Sequence, residues 1–202
     1  MDAVRLLPIP WDVTALLGTG SSGDIAEHWR SRQPALWNTL CVATVHLLCG
    51  LPGSGKTTLA RRLERDHTAV RFTLDEWMLA LFELTPDDDR YGPRADRVKE
   101  MIWRMAERVL ALGHDVVLDW NQWSRSGREA ARKRAAALSA DVVTHYIDVP
   151  VSVAEERLVA RNAAPTVGVH RIDLAELRRF ARDLFEPPDA EEEAVLVVET
   201  PD

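Results

Sequence analysis

From Thr44 onward, short apolar runs alternate with stretches whose apolar residues recur every three or four positions. The run "TVHLLCG" (44–50) ends in glycine and has the form of a strand buried on both faces. A helix is expected from about 55 to 65, then a second strand, "VRFTL", at 70–74. A helical stretch begins near Glu76 and breaks at the turn cluster "TPDDDRYGP" (85–93). Between 94 and 112, Val98, Met101, Ile102, Met105, Val109 and Leu112 fall at helical spacing and predict one long amphipathic helix, stopped by Gly113. "DVVLD" (115–119), "VVTHYIDV" (142–149) and "AVLVVET" (194–200) supply strands three to five, with helices over 124–138, 151–161 and 173–183. "NAAPTVGVH" reads as a loop and "FEPPDAEEE" as a linker, whose acidic run at 189–193 has the composition of a solvated segment without function.

Strands alternating with helices imply an α/β fold with a parallel sheet and right-handed crossovers. In such sheets ligands bind beyond the carboxyl ends of the strands, so the residues just after each strand carry the chemistry. Residues 1–42 lack this alternation. They hold Pro8, Pro10 and Pro34, a "GTGSSGD" turn at 18–24 and room for a short helix over 24–32. They read as an N-terminal appendage to a domain at 43–202. "GTGSSGD" has no lysine and no apolar strand before it, which makes it a plain turn.

The composition narrows the classes. Of the 202 residues 46% are hydrophobic, enough for a real core, and the net charge is −7. That charge argues against a nucleic-acid coat and leaves only a local grip on one 5′ end. No run reaches the roughly 18 apolar residues that span a bilayer, and the first residues lack an apolar signal region. The expected setting is cytoplasmic, without a membrane. The cysteines, Cys41 and Cys49, would be held far apart by a strand rising about 3.3 Å per residue, so they are expected as small buried residues rather than a disulfide. Only three lysines occur, at 56, 99 and 133.

One of them completes the strongest motif. "GLPGSGKTT" (50–58) satisfies G-x-x-x-x-G-K-[ST], with an apolar strand before it and an amphipathic helix after it. Gly50, Gly53 and Gly55 let the backbone curl so that its N–H groups face phosphate oxygens, and the following helix adds its positive end. Ser54 belongs to the same cradle. Lys56 is placed to bridge the β- and γ-phosphates, Thr57 to offer its hydroxyl to Mg²⁺ and Thr58 to reach the α-phosphate. The fold implied is a P-loop three-layer sandwich around a five-stranded parallel sheet, with ATP and Mg²⁺ as cofactors. Asp75, just after strand two in "FTLDEW", faces the γ-phosphate from the acceptor side. There it either takes a proton from an acceptor hydroxyl or caps the next helix, and the two are compatible. Glu76 would point elsewhere. "VVLD" has the form of a strand ending in a magnesium carboxylate. Asp119 therefore either helps hold the metal or lines an acceptor pocket, with Asn121, Ser124 and Arg125 continuing that edge. Arg125 is either an anion holder or a surface arginine. Trp77, Trp120 and Trp123 are core or cleft wall, His170 structural or exposed, and Asp148 a local backbone anchor.

"HLLCGLPGSGKTTLARRL", "FTLDEWM", "VVLDWNQWSR" and "IDVPVSVAEERLVARN" together resemble the small bacterial P-loop kinases of the AAA-type ATP-binding group. That group is similar to chloramphenicol phosphotransferase, zeta toxin and the kinase domain of polynucleotide kinases. The likeness spans about 44–199. It implies a phosphotransferase that moves the γ-phosphate of ATP to a hydroxyl of a small-molecule or nucleotide-like acceptor, with Asp75 as base. It also implies a lid carrying Arg157 and Arg161, four residues apart on one helix face, with Arg161 stabilising the transition-state charge and Arg171 as a further lid candidate. An ATPase or nucleotide-dependent switch acting on a protein partner is the alternative.

Overall fold

The computed structural model describes residues 42–197, apart from 83, 85, 87 and 165–169. The expected appendage, its 24–32 helix and Cys41 lie outside the described residues.

Five strands, β1 (Thr44–Cys49), β2 (Val70–Thr73), β3 (Val116–Asp119), β4 (Asp141–Ile147) and β5 (Val195–Val197), form one sheet in the order β2-β3-β1-β4-β5. Every pairing is parallel. The central strand is apolar on both faces because both faces are covered. Val45 and Leu47 join one core cluster and Leu48 another, all without exposure. Among the described residues six helices connect the strands: α1 (Lys56–Asp66), α2 (Leu74–Phe82), α3 (Tyr91–Ala111), α4 (Arg125–Ala136), α5 (Val151–Ala163) and α6 (Leu174–Asp183). Helix ends follow their sequence signals. Ser124 caps α4 by accepting from Gly127 N–H, and Asp173 with Glu176 forms a reciprocal capping box on α6.

Three expectations change. Helix α2 starts at Leu74, so Asp75 sits inside its first turn and is not the N-cap. Glu76 does turn away, to Arg71 at 3.2 Å. On α3, the residues that face the core are Ala95, Val98, Ile102, Trp103, Ala106 and Leu110, whereas Met101, Met105 and Leu112 are exposed. Two helical stripes overlap at Val98 and Ile102. The one carrying alanines wins because small side chains let the helix approach its neighbours, while long methionines can lie along the surface.

The acidic run at 189–193 is the third. It is not a solvated linker. Arg128 on α4 has no exposure and donates to the carbonyls of Gln122 (2.9 Å), Trp123 (3.1 Å) and Glu186 (2.9 Å). The same guanidinium clamps both oxygens of Glu192, at 2.8 and 2.6 Å, and Arg132 adds a third contact at 2.9 Å. The Glu192 side chain is 3% exposed, in a run that reads as wholly solvent-facing. A short 3₁₀ turn, Ala190–Glu192, aims it inward just before β5. No sequence rule reveals which glutamate of such a run will meet an arginine about sixty positions away.

Candidate functional site

The loop after β1 is held by close approach. Gly53 has φ +83°, and a Cβ there would lie 2.7 Å from the carbonyl oxygen of Ala154 on α5. A Cβ on Gly50 would meet the Ile147 carbonyl at 2.8 Å. Both contacts exclude a larger residue, so the loop is fixed against β4 and α5. The Lys56 ammonium donates to Gly50 O (3.0 Å) and Leu51 O (2.8 Å), which arches it over the loop. Desolvation pulls its pKa down to about 8, against the attraction of Asp119 and Asp75. Gly53, Gly55, Lys56, Thr57 and Thr58 line the cleft. Gly50 and Ser54 lie beneath it: Ser54 is fully buried, its N–H donates to Leu51 O, and its carbonyl accepts from Arg157 at 3.3 Å. The Ser54 side chain faces inward, away from the cleft.

Asp119, at the end of β3, is buried between two hydroxyls. Its Oδ1 accepts from Thr57 Oγ1 at 3.4 Å and its Oδ2 from Thr73 Oγ1 at 3.2 Å, with Arg71 3.7 Å away. Desolvation raises its carboxyl pKa; Lys56 opposes. A threonine hydroxyl and a carboxylate meeting beside the loop are hard oxygen donors, a set that suits Mg²⁺.

Asp75 lines the same cleft as this pair. Desolvation raises its carboxyl pKa, opposed by His170, Lys56 and Arg161, in that order. A carboxylate so placed is a stronger base than one in water. His170 is buried and meets Tyr91 edge to face at 5.2 Å. Arg161 donates to the His170 carbonyl at 3.1 Å, and both Arg157 and Arg161 line the cleft. Arg171 is exposed and is not part of the cleft wall.

The whole cleft, phosphate loop and Asp75 included, encloses about 480 Å³. Tyr91, Lys99, Trp120, Asn121, Trp123 and Phe180 also line it. Trp123 is anchored twice: its indole N–H donates to Gly50 O at 2.9 Å and its ring packs against Phe180 at 5.0 Å. A second cavity of about 260 Å³ shares Lys99, Trp120, Asn121 and Trp123 with the first and continues along α4. Arg125 is not at this edge. It pairs with Glu129, Asp189 and Glu191 on the outside of α4, because the acidic run lies there. Trp77 and Trp120 pack against the core on the α3 side of the sheet.

Tyr91, Lys99, His170 and Phe180 are among the cleft residues that sequence reasoning missed. They come from the start and middle of α3, the segment before α6 and α6 itself, and no motif links them. His170 was visible only as a lone histidine near a loop.

No curated protein matches the chain. Among solved structures, a kinase candidate from Chloroflexus aurantiacus j-10-fl superposes with a TM-score of 0.62 at 18% identity, over 77% of this chain and 86% of that one. The Mycobacterium tuberculosis APS kinase CysC, in complex with AMPPNP and APS, gives 0.51 at 21% identity, over 73% and 84%. The Pnkp1/Rnl/Hen1 RNA repair complex gives 0.57 at 22% identity, over 69% of this chain but only 43% of that one, so the chain spans less than half of that relative. No helix among the described residues is long and apolar enough to cross a membrane. A family model described as an AAA domain matches residues 45–188. With that match over most of its length, and with a phosphate loop, an all-parallel sheet and kinase structures as fold neighbours, the chain belongs to the AAA domain family and has the P-loop kinase-like fold.

Proposed function

We propose that this chain is an ATP-dependent phosphotransferase that passes the γ-phosphate to a hydroxyl of a small-molecule or nucleotide-like acceptor. The observation that carries the reading is the position of Asp75, a desolvated carboxylate in the same cleft as the phosphate loop. A hydrolase needs room only for water. A cavity lined by Tyr91, Trp120, Trp123 and Phe180, with Lys99 and Asn121 as polar points, fits an acceptor with a flat or apolar body and a polar or anionic group. APS kinase, one of the fold neighbours, is solved in complex with AMPPNP and APS.

The loop amides and Lys56 hold the triphosphate; Thr57 and Asp119 would hold Mg²⁺, which would supply neutralisation of the phosphate charge. Asp75 orients the acceptor hydroxyl and takes its proton. The new bond runs from acceptor oxygen to γ-phosphorus as the bond from γ-phosphorus to the β,γ-bridging oxygen breaks, and ADP leaves with that electron pair. Arg157 and Arg161 meet the charge from the lid side. His170 and Tyr91, packed edge to face, line the cleft with Asp75.

The test is γ-labelled ATP with Mg²⁺ and a pool of metabolites, nucleosides, nucleotides and 5′-hydroxyl oligonucleotides. Label is expected in a new compound, absent with Lys56→Ala, and reduced by about a hundredfold or more with Asp75→Asn while ATP binding stays within a few-fold. Transfer by Asp75→Asn at the parent rate would remove Asp75 as the base. Label released only as inorganic phosphate, whatever the pool, would favour the ATPase or switch reading.

A further inference from the structure

A second cluster of chemistry-bearing side chains lies at the opposite, N-terminal edge of the sheet. His46 on β1, His67 just after α1 and Asp115 just before β3 bring one ligand atom each to within 4.8 Å of one another. His46 is 4% exposed, and its Nε2 has no hydrogen-bond partner. That nitrogen faces the cluster, 3.9 Å from Asp115 Oδ2. A buried imidazole nitrogen left unpaired is costly, and a ligand would satisfy it.

Each inner group is already oriented from outside. His46 Nδ1 lies 2.9 Å from His145 Nε2 on the neighbouring strand. With the shared hydrogen on Nδ1, His46 presents the Nε2 lone pair to the cluster. Asp115 Oδ1 accepts from the Thr44 N–H at 2.8 Å, which leaves Oδ2 turned to His46. Metal-bound histidines and carboxylates are held in this way by outer hydrogen bonds. His67 is exposed, so the cluster has an open side for entry and for a water in the remaining position.

We propose that His46, His67 and Asp115 form a zinc-type metal site, separate from the phosphate cleft. Two imidazoles and one carboxylate suit Zn²⁺ and disfavour Mg²⁺, which prefers oxygen alone. At zinc bond lengths of about 2.0–2.2 Å, tetrahedral ligand atoms sit about 3.4 Å apart. The exposed His67 side chain at the end of α1 would move inward by up to about 1.4 Å, and His46 Nε2 and Asp115 Oδ2, now 3.9 Å apart, would draw together by about 0.5 Å. The bound ion would tie β1, the end of α1 and the start of β3 together, which gives it a structural role.

The full chain, stripped with a chelator, is titrated with ZnCl₂ by calorimetry and melted with and without zinc. One equivalent is expected to bind and to raise the melting temperature. His67→Gln and Asp115→Asn, both at accessible positions and checked for parental melting without metal, should each weaken binding by at least about tenfold and lose the thermal shift. Failure of the parent chain to bind zinc would overturn the site. Unchanged affinity in both variants would do the same, since zinc would then be held elsewhere.

Discussion

Lys56 is the residue whose environment makes the sharpest demand on solution conditions. Its ammonium is desolvated, which lowers its pKa to about 8. The charged form exists below that value and is lost as pH rises through it. ATP affinity, measured by calorimetry between about pH 6 and 10, is therefore expected to weaken above about pH 8. Lys56→Arg keeps its charge throughout that range and should flatten the basic limb, whatever its absolute affinity. An unchanged basic limb in that variant would assign the titration to another group. The phosphate loop was legible from nine consecutive letters because its function resides in backbone geometry, which local sequence dictates. Asp75 was legible from its place after a strand. Ser54 and Arg125 belonged to legible segments, yet their side chains point away from the cleft, because a one-residue change of direction depends on what lies on either side.

At the scale of elements, strands and helix ends followed their local signals closely, and α3 did not follow its own. Its methionines mark a plausible apolar face, but the buried stripe runs through Ala95 and Ala106. Ile102→Ala is expected to cost about 2–5 kcal/mol in urea denaturation. Met101→Ser and Met105→Ser should each change stability by about 0.5 kcal/mol or less. The opposite ranking would return the helix to the phase that its large apolar residues suggest. Hydrophobic periodicity gives a helix its length and amphipathic character. It leaves the rotational phase open when two stripes share residues, and packing distance to the neighbouring layer then chooses.

For the molecule as a whole, the segment from 186 to 193 is fastened beside β5 by Glu192, which is buried on Arg128 and Arg132. Hydrogen bonds from Arg128 are the main cause that holds the Glu192 carboxyl down to about 2. A depressed carboxyl stabilises the fold above its unfolded pKa of about 4.3, and that stability is lost as pH falls toward 2. Glu192→Gln leaves Arg128 buried without its counter-charge and is expected to cost about 3–5 kcal/mol at neutral pH. Glu191→Gln, at a 79% exposed side chain, should cost about 0.5 kcal/mol or less. Denaturation of the two variants side by side at pH 7 and again near pH 3 reads both effects. Equal stability of the two at pH 7 would mean that the buried pair contributes nothing net.

The sequence by itself determined the order of strands and helices, the parallel sheet they build, the phosphate loop and the carboxylates at the ends of β2 and β3. Each of these is written in a contiguous stretch, where spacing, chain stiffness and residue type act within a few positions. Only the tertiary structure decided what surrounds those carboxylates. It brought Tyr91, Lys99, His170 and Phe180 to one cavity, buried Glu192 on Arg128, and gathered His46, His67 and Asp115 at the far edge of the sheet. The reason is physical. Desolvation, charge pairing and close packing depend on distance in space, and a folded chain joins in space residues whose separation along the sequence carries no signal.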